Sequence, residues 1–414
     1  MELRDYQLKL AKKGNEILQL FGIVYYAIEM RVGKTLIALK TAELAGAQNV
    51  LLVSKKKALA SICNDYEKFG FNFYINIINY EQLKNHSKAS SDVIICDEAH
   101  GLGAYPKPSE RTKILKDILK NNPGAKLILM SGTPSPESYS QLYHQFAISA
   151  NSPFEQSNFY QFAKEFVNVK EVTRGGLRFR DYKDCNKDKV MQVLEKYFVR
   201  FTQSDAGFSQ NEVLEKIIKI PVSDNVKKMV KILKKEKYYQ FKDGSEVICD
   251  SAVKLQTKIH QVYSGTVKTE DDKYKVIDIS KAEWIKNYYK GQKIAIFYKF
   301  IAEGEVLKKL MPNSTDSPEK FNQEPETVFI CQIQSGSMGV NLASADILIF
   351  YNIDFSALQY WQARARLQDF KRDKPPLVHW LMIENGIEEK VYQAVLNKKD
   401  YTLHYFKKDF INAS

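Results

Sequence analysis

The sequence predicts an α/β chain with a parallel sheet and two domains, on three observations. Short, continuously apolar runs, NVLLVS (49–54), DVIICDEAH (92–100) and AKLILMSGTP (125–134), each close on a polar or glycine-containing turn. Such runs read as strands buried on both faces of a parallel sheet. Between them lie stretches with apolar residues three and four apart, such as TLIALKTAELAG, which stops at Gly46. That alternation is the pattern of right-handed crossovers, and ligands in such sheets bind beyond the carboxyl ends of the strands. Finally, 414 residues exceed one ordinary core, so two domains are expected.

Composition sets bounds on function. Hydrophobic residues make up 44% and charged residues 27%, with no apolar run long enough to cross a bilayer, so a soluble chain without a membrane partner is expected. The opening MELRDYQLKLAKKG predicts neither a leader peptide nor an anchor. Cys63, Cys96, Cys185, Cys249 and Cys331 are scattered, without a CxxC pair, which fits a reducing cytoplasm. Cys96 and Cys331 sit in apolar runs as small buried hydrophobes. A formal charge of +12, from 61 Lys and Arg against 49 Asp and Glu, suits a polyanionic partner.

After the apolar GIVYYAI comes EMRVGKT (29–35) and then a helical pattern. The fuller phosphate-loop pattern has a glycine five residues before Gly33, where this chain has Ile28. Backbone N–H groups at a helix start can nevertheless hold phosphate oxygens, with Lys34 neutralising the β and γ phosphates and the Thr35 hydroxyl binding Mg²⁺. The strand IICDEAH ends in adjacent carboxylates, Asp97 for the Mg²⁺ shell and Glu98 to orient or deprotonate an attacking water. A surface acidic pair after a strand is common by chance, but it rarely follows a GKT turn at this distance.

EMRVGKT, DEAH (97–100) and SGTP (131–134), in this order, resemble the motor ATPases of helicase superfamily two, particularly the Swi/Snf-type DNA translocases. The likeness extends to LRDYQ (3–7), LLVSKKKAL (51–59), INYEQL (78–83), YFVRFTQSD (197–205) and EKIIKIPVSDNVKKMVKIL (215–233). It continues through KIAIFYKF (293–300), SGSMGVNLASADILIFYN (335–352) and YWQARARLQDFKR (360–372), so it covers nearly the whole chain. The departures are Arg31, where the branch usually has glycine, and QSGSMGVNL, which lacks the usual threonine and one paired glycine. The family spaces two arginines three residues apart after Q-A, which here gives Arg366 and then Asp369. Either Arg364 and Arg366 share the work, or Arg372 enters by a shifted register.

The resemblance implies two RecA-like halves with small helical insertions, facing each other across ATP and Mg²⁺. It places an N-terminal half at 1–210 with a helical insertion from about 137, a linker and protrusion at 211–280, and a C-terminal half at 281–414. Gln7, Met30, Arg31, Val32, Gly33, Lys34 and Thr35 would hold the nucleotide, Gln7 reading adenine. Thr35 and Asp97 would hold the metal; Lys34, Asp97, Glu98, Arg366 and Arg364 would carry catalysis. Ser131, Thr133, Gly339 and Gln362 would couple hydrolysis to movement. Ser54, Lys55, Asn79 and Tyr80, with Lys299, Gln334 and Ser335, would follow a nucleic-acid strand, mostly by phosphate contacts with duplex DNA.

The expected activity is ATP-driven translocation on duplex DNA by a compact, monomeric, cytoplasmic motor of prokaryotic or phage type, with room for protein partners. Strand separation on DNA or RNA, a motor subunit of a restriction or recombination assembly, and a non-catalytic nucleic-acid scaffold are the alternatives; Lys34, Asp97 and Glu98 are all present, against the last. Lysines 55 to 57 also read as a solvated run after a strand. ILKKEKYYQFKDG (232–244) reads either as a brace for DNA or as a lysine-coated helix burying Tyr238 and Phe241. His100 and His260 lack companion ligands at suitable spacing and read as hydrogen-bonding histidines.

Overall fold

A computed structural model describes residues 2–86, 90–174, 177–207, 213–336, 342, 344–353, 355, 360, 363, 375, 377–384 and 386–396. The chain divides into two compact units, Met1–Gln210 and Asn211–Ser414. No helix among the described residues is long and apolar enough to cross a membrane.

The first unit is built on β1 (Ile23–Ile28), β2 (Asn49–Ser54), β3 (Tyr74–Asn79), β4 (Val93–Asp97), β5 (Lys126–Met130) and, after the hairpin β6 (Lys170–Arg174) and β7 (Leu177–Asp181), β8 (Phe198–Phe201). The sheet order is β3-β2-β4-β5-β1-β8. Every pairing in this sheet is parallel. The apolar runs are continuous because alternate residues feed different cores. Ile23, Tyr25, Leu51, Val53, Ile94 and Cys96 enter one, while Val24, Tyr26, Val50, Leu52, Val93 and Ile95 enter the other. Each such side chain, fully buried, contributes about 1.5–3 kcal/mol.

Helices α1 (Asp5–Phe21) and α2 (Lys34–Leu44) cover the second of these faces, contributing Leu10, Ala11, Leu18, Ile37 and Ala38. Their approach depends on Gly14, where an added Cβ would lie 1.7 Å from the Tyr26 hydroxyl. That hydroxyl is 2.5 Å from Thr41 Oγ1. On the opposite face, the helix Phe159–Phe166 turns Phe159, Phe162, Ala163 and Phe166 inward and is capped by the Asn158 side chain. The region after residue 137 therefore holds the β6–β7 hairpin as well as helices, with Gly175 and Gly176 outside the described residues.

The second unit comprises β9 (Leu214–Ile220), the hairpins β10 (Tyr238–Gln240) with β11 (Glu246–Ile248) and β12 (Thr266–Lys268) with β13 (Tyr274–Val276), then β14 (Ile294–Tyr298), β15 (Ser314–Thr315), β16 (Val328–Gln332), β17 (Ile347–Phe350) and β18 (Leu377–Ile383). Its six-stranded sheet has the order β15-β16-β14-β17-β18-β9. The stretch read as a linker thus supplies an edge strand, β9, in parallel register with β18 from Leu214 to Ile220. Glu215 secures it by accepting from Tyr360 Oη at 2.7 Å, Trp380 Nε1 at 2.9 Å and Tyr392 Oη at 3.3 Å. The helix Asp224–Glu236 buries Val226, Met229, Val230 and Leu233. Its lysines are exposed, as is Tyr238, whereas Phe241 packs against the core.

Candidate nucleotide and nucleic-acid site

In the first unit the predicted residues gather at the carboxyl ends of β1, β2, β4 and β5. Leaving β1, the backbone turns through Arg31 at φ +65° and Gly33 at φ +91° before α2 begins at Lys34. Gly33 is required twice over: by its left-handed φ, and by the Gln7 Nε2, which would lie 2.2 Å from an added Cβ. Gln7 Nε2 donates to the Val32 carbonyl at 3.2 Å, and the Tyr6 hydroxyl donates to the same oxygen at 3.1 Å. Gln7 Oε1 accepts from Arg4 N–H. In this structure Gln7 braces the loop with its amide nitrogen, while its amide oxygen holds the residue that opens α1. The first N–H groups of α2 have no acceptor within the helix, so this turn can receive an anion.

Asp97 ends β4, where Ser54 Oγ donates to its Oδ2 at 2.6 Å. Burial and the neighbouring Glu98 charge raise the Asp97 pKa, against the lowering effect of Ser54 and Lys34. Glu98 takes a left-handed φ of +49° and places Oε2 3.2 Å from His100 Nδ1. Burial pushes its carboxyl up, but the His100 interaction, Lys34 and Lys55 outweigh that and hold it below the usual carboxylate range. Lys34 thus acts on both carboxylates, and its Nζ lies 3.7 Å from where a Cβ on Gly132 would stand.

The turns after β4 and β5 are joined. His100 Nδ1 is 3.0 Å from Ser131 Oγ, which also accepts from Thr133 N–H at 3.0 Å. Ser131 is fully buried. Among the described residues no group of three or more His, Cys, Asp or Glu side chains forms a metal cluster. His260, in the second unit, hydrogen-bonds Asn352.

The nucleic-acid candidates separate into two kinds. Ser54, Asn79 and Tyr80 are buried. Ser54 is turned to Asp97, Asn79 exchanges hydrogen bonds with Gln82, and Tyr80 donates to the Asp97 carbonyl at 2.6 Å. Lys55 is half-buried at the end of β2. In the second unit Lys299 Nζ lies over the Phe355 ring at 3.7 Å, and Gln334 is exposed on the short helix Ile333–Gly336, which also holds Ser335. Gly339, Gln362, Arg364, Arg366 and Arg372 lie outside the described residues.

Two loop contacts escaped the sequence reading. Gln203 Nε2 donates to the Met30 carbonyl at 2.9 Å, and Glu29 Oε2 accepts from Gln203 N–H at 2.8 Å. The only signal was that both residues lie in segments already singled out, EMRVGKT and YFVRFTQSD.

Two parallel sheets, with a turn that can receive an anion and adjacent carboxylates at a strand end of the first, define the class. Residues 28–266, more than half of the chain, match the SNF2-related domain, and the chain belongs to that family. It is 22% identical over 370 residues to Chromodomain-helicase-DNA-binding protein 1-like of Mus musculus, covering 80% of this chain and 38% of that protein. An uncharacterized ATP-dependent helicase of Mycoplasma pneumoniae is 23% identical over 448 residues, covering 96% of this chain and 42% of its own length. The lymphoid-specific helicase of Homo sapiens is 31% identical over 80 residues, covering 19% and 10%. The chain therefore spans less than half the length of each of these relatives.

Proposed function

We propose that this chain is an ATP-driven motor that moves along duplex DNA. The observation carrying the reading is the convergence of Lys34, Asp97 and Glu98 at the strand ends, with Glu98 tied through His100 to Ser131. Lys34 neutralises the β and γ phosphates, the N-terminus of α2 accepts their oxygens, and Glu98 orients the attacking water. Mg²⁺ fits beside Asp97: a buried carboxyl raised by its neighbour's charge is one that a divalent cation would relieve, and Thr35 supplies a second oxygen. The ion, when bound, neutralises charge on the transferred phosphoryl group.

Ser54 and Tyr80 act in this reading by holding the Asp97 strand end, while Lys55, Lys299, Gln334 and Ser335 are assigned to phosphate contacts with the nucleic acid. Asn79 shapes the start of the segment after β3. Arg366, with Arg364, supplies the cation that stabilises the transition state, and Gly339 and Gln362 join Ser131 and Thr133 in coupling. The domain reading is a nucleotide-binding half at 1–210, a linker and helical protrusion at 211–280, and a second motor half at 281–414. The motor acts as a monomer, in a cytoplasm that suits five scattered cysteines without a CxxC pair.

Similarity to the lymphoid-specific helicase and to the ATP-dependent helicase of Mycoplasma pneumoniae favours one second reading, a strand-separating helicase. ATP hydrolysis measured side by side with duplex DNA, single-stranded DNA and RNA tests the proposal. Duplex DNA should stimulate turnover, and a bound third strand should be displaced without parting an ordinary duplex. Stimulation by RNA but not duplex DNA, or efficient unwinding of a tailed duplex, rejects it.

A further inference from the structure

We infer that Gln203 is a positioning residue for the phosphate-accepting loop, holding it from the chain segment that leads into the second unit. The inference rests on the nucleotide-binding reading above.

The loop lacks the glycine that would ordinarily open it, having Ile28 instead, and its backbone is held by side chains from outside. Gln203 Nε2 donates to Met30 O and Gln7 Nε2 donates to Val32 O. In a trans peptide the N–H points away from its carbonyl, so fixing these two oxygens fixes the N–H groups of Arg31 and Gly33 toward the opposite side. With Arg31 in the left-handed region between them, the two N–H groups can form a concave anion cradle. Each glutamine therefore sets the direction of a donor without touching the phosphate.

Gln203 is itself held. Asp205 Oδ2 accepts from Thr202 N–H and Thr202 Oγ1, both at 2.8 Å, closing a turn around it. Glu29 N–H donates to Phe201 O at 3.0 Å, and the Phe201 ring stacks on Tyr6 at 5.3 Å and 17°. Phe201 ends β8, and the chain enters the second unit at Asn211. The loop is thus tied directly to the segment leaving the first unit.

Three full-length proteins test this: wild type, Gln203→Met, which keeps the length but has no donor, and Gln203→His, whose neutral Nε2–H at about pH 8 restores one at similar reach. Equilibrium binding of ATP, steady-state turnover with duplex DNA and thermal melting are measured on each. Gln203→Met should raise Kd and KM for ATP about three- to tenfold, the range expected for one net hydrogen bond, with a smaller fall in kcat. Gln203→His should recover most of that loss. Wild-type affinity in Gln203→Met, or equal weakening in both variants, overturns the role of Gln203 while leaving the motor reading intact. A wild-type protein that binds no ATP overturns the motor reading itself.

Discussion

The His100 imidazole and the Ser131 hydroxyl meet at 3.0 Å, joining the turn that carries Glu98 to the turn after β5. The same ring nitrogen is 3.2 Å from Glu98, so one side chain contacts both the proposed general base and the proposed coupling segment. His100→Ala should leave ATP affinity within about threefold and lower DNA-stimulated turnover by about tenfold or more, because Glu98 loses its orienting partner. Comparing basal with DNA-stimulated kcat checks this; full stimulation in the variant would break the link.

Lys34 and Glu98 should separate binding from chemistry. Lys34→Ala removes the cation acting on both carboxylates and on the nucleotide, and should abolish turnover. Glu98→Gln should keep Mg-ATP binding and stop hydrolysis. Normal turnover by either variant in a single-turnover assay would remove the active-site assignment.

Arg366→Ala should reduce kcat far more than ATP affinity, since a cation on the transferring phosphoryl group acts at the transition state, with losses of about 10³-fold or more. If Arg372→Ala behaves this way and Arg366→Ala does not, the arginine register is shifted.

Lys55→Gln should weaken DNA binding about equally on unrelated sequences and lower the slope of log affinity against log salt by about one. Fluorescence titrations across salt concentrations read this directly. An unchanged slope places Lys55 off the phosphate track.

Gly14→Ala should destabilise the first unit by about 1–3 kcal/mol, because its Cβ meets the Tyr26 hydroxyl within the α1 packing. Tyr26→Phe in the same chain should relieve only part of this, as the ring carbon is also close, at 2.5 Å. Denaturant melts of the single and double variants measure both terms.

The first sheet was legible because its strands are buried on both faces, so apolar continuity alone marks them; Val50 to Val53 is the plainest case. The carboxylates and the GKT turn were legible because chemistry restricts residue type at strand ends. Direction was not: Ser54 looks like a phosphate contact in sequence but turns inward to Asp97, and Tyr80 spends its hydroxyl on the same residue's carbonyl. Gln203 was hidden for a different reason, being 173 residues from the carbonyl it holds. β9 was hidden because it is an edge strand with only Ile220 fully buried, so it resembles a polar connector.

Among the described residues the two strands on either side of the unit boundary, β8 and β9, are both edge strands, each held by a single neighbour. Under mechanical load an edge can peel one ladder at a time, leaving the remaining sheet closed. β8 is paired with β1 over four residues, whereas β9 is paired with β18 over seven and pinned through Glu215. A pull along the chain therefore meets less resistance at β8, beside the loop that Gln203 holds, than at β9.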